Sequence, residues 1–151
     1  MSADASMVEP VPKVQLSDDQ VRATRGQGAA RYDQARMASY LADATILIRT
    51  MHTPTDPIDR QPLSDPDLMT DGTHVWHAHL ADIVAKHAPA LPEAFVAAVE
   101  AQGYVSRDVA PERQAEILSG EQTRGIRIAQ QIAAEREPRT RTRGSGRGAS
   151  R

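Results

Sequence analysis

Four polar residues near the middle of the chain have the types and the spacing to bind a metal ion. They form the pattern Asp-x-x-His-x-x-His-x-His, with Asp71, His74, His77 and His79. Carboxylate and imidazole groups are common zinc ligands, so this pattern raises the hypothesis of a histidine-dependent metal-binding enzyme. In a helix that begins near Trp76, His77 and His79 would point about 200° apart. Only Asp71, His74 and His77 are then able to converge, and we expect no stoichiometric metal.

Other patterns that carry chemistry are missing from the sequence. The chain has no cysteine, which excludes disulfides, thiolate ligands and a cysteine nucleophile. It has no Gly-x-Ser-x-Gly elbow and no glycine-rich loop of the kind that binds phosphate. Aspartates at 56, 59, 65 and 67 do not match a calcium-binding loop, and we interpret them as solvated. We therefore predict that the protein is not an enzyme and has no cofactor.

The elements that position these residues are predicted to be mainly helical. Apolar residues at helical spacing predict an amphipathic helix over 29–51, a second over 76–88 and a third over 92–102. Four prolines in 52–67 exclude a helix there and indicate a loop. The fold class is therefore mainly α, a small three-helix domain with one short β-hairpin and disordered N- and C-terminal ends.

The hairpin is predicted over Leu68–Trp76. Asp71 and Gly72 lie between two short apolar segments, which is the strongest local signal for a tight turn. Trp76 is the only tryptophan in a chain with 3% aromatic residues. We expect it to pack with Phe95 at the centre of the core.

One part of the chain consists of Thr-Asp-Gly-Thr-His-Val-Trp at 70–76, a short helix, Leu91-Pro92-Glu93 and Gly103-Tyr104. This part resembles a group of small uncharacterised actinobacterial proteins. The resemblance covers about residues 63–104. The chain departs from the group within the helix, where Ala81 to Val84 stand in place of a tyrosine pair. The resemblance implies a hairpin–helix core and implies no activity.

Composition divides the chain into four segments. We predict a flexible N-terminal segment (1–28), a compact helical core with the hairpin (29–104), a helical extension (105–137) and a disordered basic tail (138–151). A Ser17-x-x-Gln20 capping box starts a weak helix within the first segment. No apolar run is long enough to cross a membrane, and no secretory signal is visible. We expect a cytoplasmic protein.

Two segments are candidates for binding a macromolecule. The extension carries a narrow apolar stripe that includes Ile126, Ala129 and Ile132, which is suited to packing on another protein. The face of helix 29–51 is a second candidate for the same role. The tail carries five arginines and no acid, at Arg139, Arg141, Arg143, Arg147 and Arg151, which favours non-specific contact with nucleic-acid phosphates.

These features predict a small non-catalytic interaction protein of the adaptor, accessory or immunity-like regulatory type. Its partner is another protein of unknown identity, and the sequence is also compatible with a homo-oligomer. The alternative is a nucleic-acid-associated protein that uses the arginine tail. The histidine-dependent metal enzyme is the third and weaker alternative.

Overall fold

The structure, a computed structural model, describes residues 7–149, with side chains described as far as Arg136. These residues form α1 (Asp18–Thr24), a 3₁₀ helix (Gln27–Ala30), α2 (Gln34–Ala42), β1 (Thr45–Ile48), β2 (Leu68–Thr70), β3 (Val75–His77), α3 (His79–His87), α4 (Glu93–Ala101) and α5 (Pro111–Ala149). The prediction of a mainly helical fold with a small antiparallel hairpin is confirmed. The predicted count of three helices is wrong, because the described residues contain five α-helices.

The chain divides into two compact units. One is Val11–Gln114, and the other is Met1–Pro10 together with Ala115–Arg151. The predicted core boundary at 29–104 differs from the first unit at both ends. Among the described helices, none combines the length and the apolar character needed to span a membrane.

The three strands form one antiparallel sheet in the order β1-β2-β3. β2 and β3 form the predicted hairpin, in which Met69 lies opposite Trp76. Asp71 forms its turn, because the side-chain oxygen Oδ1 accepts hydrogen bonds from the amides of Thr73 and His74, both at 2.9 Å. Gly72 has φ 97°, a left-handed conformation that glycine adopts without steric strain.

The single helix predicted over 29–51 is wrong. The chain forms the shorter helix α2 and then the strand β1. Met37, Tyr40 and Leu41 do form one buried helical face, but Thr45–Ile48 alternates between half-buried and exposed residues and pairs with β2. Met51, which fitted the helical spacing, is 98% exposed. A run of apolar residues this short fits both the helical period of about 3.6 residues and the two-residue period of a strand. Pairing with β2 makes it a strand.

The second and third predicted helices exist with shorter bounds. α3 begins at His79, so Trp76 and His77 belong to β3 and not to the predicted helix 76–88. α4 corresponds to the predicted helix 92–102, and Gly103 follows it with φ 64°, as expected after a helix end. In the predicted extension 105–137, helix begins only at Pro111 and continues as the single element α5.

The N-terminal segment predicted to be flexible is structured from Val11 onwards. The Val14 amide donates to the Val75 carbonyl at 2.8 Å, and the Val75 amide donates to the Pro12 carbonyl at 3.0 Å. These bonds cover the outer edge of β3, which would otherwise leave backbone groups unpaired. The capping box of Ser17 and Gln20 is present at the start of α1.

The core of the first unit is centred on Trp76, as predicted. Trp76 is fully buried, and its Nε1 donates to the Leu41 carbonyl at 3.1 Å. Its ring lies 6.0 Å from the ring of Tyr40 and 5.6 Å from that of Phe95. The core therefore joins the sheet to α2 and α4.

Candidate functional site

The structure does not bring the predicted metal ligands Asp71, His74 and His77 together. Both oxygens of Asp71 are engaged, Oδ1 by the hairpin turn and Oδ2 by the hydroxyl of buried Tyr40. Burial, followed by the hydrogen bond to Asp71, raises the pKa of the Tyr40 hydroxyl far above its usual value. The Asp71 carboxylate therefore links the hairpin to α2 through hydrogen bonds.

The two histidines of that set face different surroundings. The His74 ring packs edge-on against Phe95 at 5.0 Å, and burial lowers the pKa of His74, so that the ring is neutral near pH 7. The His77 Nδ1 lies 2.9 Å from the Pro66 carbonyl oxygen. The prediction that His77 and His79 diverge is wrong, since β3 ends at His77 and the two rings stack with their centroids 6.1 Å apart.

A cluster that sequence reasoning missed lies between the loop 54–63 and the end of α3. Asp56, predicted to be a solvated loop residue, is fully buried. Its carboxylate accepts hydrogen bonds from Lys86 Nζ and His87 Nε2, both at 2.8 Å, and from the amides of Ile58 and Asp59. Burial raises the pKa of the Asp56 carboxyl, but these hydrogen bonds outweigh burial and hold the pKa well below its usual range.

The same cluster contains the one set of three metal-ligating side chains found close together among the described residues. Ligand atoms of Asp56, Asp59 and His87 lie within 4.8 Å of one another. Lys86 Nζ lies 2.8 Å from the Asp56 carboxylate and 2.7 Å from that of Asp59. Because the ammonium already pairs with both carboxylates, the cluster fits a structural clamp between the loop and α3.

The second unit contains the main exposed apolar surface of the described residues. Three isoleucines of α5 are about half exposed, Ile126 at 46%, Ile128 at 51% and Ile132 at 47%. Helical geometry spreads these residues over an arc of about 160°, with Ile126 and Ile128 at its two edges and Gly125 and Ala129 between them, and Gly125 and Ala129 are exposed. We call Gly125, Ile126, Ile128, Ala129 and Ile132 the isoleucine face.

The rest of this part of α5 is polar. Glu121 pairs with Arg124 one turn along the helix at 2.9 Å, and Arg127 pairs with Glu9 of the N-terminal segment at 2.6 Å. Such pairs and the many alanine, glutamine and arginine residues stabilise an exposed helix. The predicted stripe residues Ile126, Ala129 and Ile132 therefore lie together on a solvent-exposed face.

The two other predicted binding surfaces have different outcomes. The predicted apolar face of a helix over 29–51 does not exist, because its α2 part packs into the core and Ile46 and Ile48 belong to a strand. Arg139, Arg141, Arg143, Arg147 and Arg151 of the basic tail all lie outside the residues whose side chains are described. The backbone of α5 continues through most of this segment to Ala149, and a role of the tail in binding stays a prediction.

Comparison with known proteins adds no relative: no family model, curated protein or solved structure matches the chain.

Proposed function

We propose that the protein is a small non-catalytic interaction protein of the cytoplasm, of the adaptor, accessory or regulatory type, and that the isoleucine face binds a helix of a partner protein. The observation that supports this proposal most is the half exposure of Ile126, Ile128 and Ile132 within one half of the circumference of α5. Large apolar side chains grouped on a surface commonly mark interaction sites. The small residues Gly125 and Ala129 allow a partner backbone to approach closely.

The isoleucine face supplies a measurable part of the binding free energy of such a complex. Complete burial of an isoleucine side chain contributes about 1.5–3 kcal/mol. Since about half of each side chain is still exposed, each isoleucine has about 1 kcal/mol left to contribute on binding. Replacing Ile126 and Ile132 by alanine should therefore weaken the complex about 30-fold, which corresponds to about 2 kcal/mol.

The test begins with identifying the partner by affinity capture from native lysate, with nuclease treatment as a control. Binding of the purified partner is then measured for the wild type, the Ile126→Ala/Ile132→Ala double variant and Gln131→Ala. Gln131 is exposed and points about 140° away from Ile126 and about 100° away from Ile132 around the same helix, which makes it a control for these two positions. Alanine favours helix, so neither variant should disturb α5. A partner that binds all three proteins equally would contradict the proposal.

The alternative function is non-specific binding of nucleic acid by the basic tail. Five arginines without an acid in 138–151 favour it, and no aromatic residue in that segment is available to stack on bases. Removing 138–151 should abolish such binding and leave the protein partner bound. Loss of the protein partner on the same truncation would instead assign the interaction to the tail.

A further inference from the structure

A cavity of about 120 Å³ lies in the first unit, between the N-terminal segment, the loop 54–63 and the start of α3. Val21, Leu63, Leu80 and Ile83 form an apolar wall. Exposed residues such as Gln15 and Thr55 also line it, so the cavity opens to solvent on that side. No part of the proposed protein-binding function uses this cavity.

The imidazoles of His77 and His79 provide the polar part of the wall. They are stacked with an angle of 24° between the ring planes. The Nδ1 of His77 lies 2.9 Å from the Pro66 carbonyl oxygen, which can only accept a hydrogen bond. This hydrogen bond requires a proton on Nδ1, and in that tautomer Nε2 is an acceptor.

His79 has the opposite arrangement. Its Nδ1 is buried and meets no hydrogen-bonding group of the described protein. A buried N–H without an acceptor is rarer in proteins than an acceptor without a donor, which favours the tautomer with the proton on Nε2. Burial, and then the neighbouring His77, lowers the pKa of His79 and keeps the ring neutral. The Nε2–H of His79 is therefore a donor.

We propose that this cavity binds a small neutral amide with a short apolar body. The amide N–H donates to Nε2 of His77, and the amide oxygen accepts from Nε2–H of His79. The ring centroids are 6.1 Å apart, so both rings are within reach of one small ligand. A carboxylate offers acceptors alone and leaves His77 without a donor.

The size of the cavity limits the ligand. A dry cavity of about 150 Å³ accommodates benzene, so a cavity of about 120 Å³ admits a molecule of about six heavy atoms or fewer. Isobutyramide has that size, and its branched carbon chain matches the wall formed by Leu63, Leu80 and Ile83. Isobutyrate has the same shape and differs in the group that the histidines contact.

The test is an NMR titration of the full chain with isobutyramide and, separately, with isobutyrate. We expect saturable shifts of the Leu63, Leu80 and Ile83 methyl signals and a dissociation constant at least tenfold lower for the amide. His77→Phe and His79→Phe should each weaken amide binding at least tenfold. His52→Gln is the control, because His52 is exposed and does not line the cavity.

Equal affinity for amide and acid would overturn the proposal, as would the absence of saturable methyl shifts up to the solubility limit of the amide. Displacement of the bound amide by one equivalent of Zn²⁺ would agree with the proposal. Stoichiometric Zn²⁺ binding without any amide binding would overturn the proposal. The comparison of the two ligands uses the wild-type protein, so it decides the matter even if a histidine variant fails to fold.

Discussion

Replacement of Asp56 by asparagine should strongly destabilise the first unit. The Asp56 carboxylate is fully buried and binds Lys86, His87 and two backbone amides of its own loop. Asparagine has nearly the same shape and retains one oxygen for the amides. It removes the negative charge that lies next to the Lys86 ammonium and the buried His87 ring. The substitution therefore measures the effect of the charge on stability, with the packing nearly unchanged.

The size of the effect follows from this geometry. Removing one partner of a buried ion pair destabilises a protein by about 3–5 kcal/mol. Lys86 is one-third exposed and regains contact with water, so we expect a smaller loss of about 2–3 kcal/mol in the free energy of unfolding. For a chain of this length, the melting temperature should fall by roughly 5–10 °C.

Urea and thermal unfolding, followed by circular dichroism, measure this loss. Asp59→Asn is the matched control, because Asp59 shares Lys86 but is 38% exposed at its side chain, and it should have a much smaller effect. A melting temperature of Asp56→Asn within about 2 °C of the wild type would refute the clamp.

The pH dependence gives an independent check on the same residue. Its hydrogen bonds hold the pKa of the Asp56 carboxyl below its value in the unfolded chain. The unfolded state therefore takes up the proton first, and the stabilisation is complete above about pH 4 and is lost as the pH falls further. The difference in stability between the wild type and Asp56→Asn should shrink below about pH 4. A constant difference down to acid unfolding would contradict this account.

Four further predictions concern the core, two glycines and the tail. Trp76→Ala should cost about 3–5 kcal/mol in unfolding free energy, measured by urea unfolding, and a loss below about 1 kcal/mol would contradict its central position. Gly28→Ala should destabilise by about 1–3 kcal/mol, because a Cβ there would lie 2.4 Å from the Pro89 carbonyl oxygen. Gly125→Ala, with no atom within 4 Å of its Cβ, should instead stabilise α5 by up to about 1 kcal/mol in the same assay. If the wild type binds duplex DNA, the log–log dependence on salt should have a slope of roughly −4 to −5, and binding that persists after removal of 138–151 would show that the tail is not responsible.

Local signals in the sequence predicted the elements that depend on neighbouring residues. The Asp71-Gly72 turn, the Ser17 capping box and the helix end at Gly103 each use side-chain or backbone preferences within a few positions. The central position of Trp76 followed from the scarcity of other large side chains. These features need no knowledge of distant contacts.

The features that were missed depend on contacts between distant parts of the chain. Thr45–Ile48 is a strand because β2 pairs with it, and its apolar spacing alone also fits a helix. Asp56 is buried because Lys86 and His87, about thirty residues later, supply its partners. Its position between prolines in an acidic loop gave no sign of burial. The stacking of His77 and His79 likewise required the change from β3 to α3 between them.

The most direct test of the account is the affinity of the captured protein partner for the wild type, Ile126→Ala/Ile132→Ala and a chain truncated after residue 137, measured by calorimetry. The central claim is that the isoleucine face binds this partner. It predicts that the double variant binds about 30-fold more weakly, and that the truncated chain binds as the wild type does. Unchanged affinity of the double variant, or loss of binding on truncation, would contradict the claim.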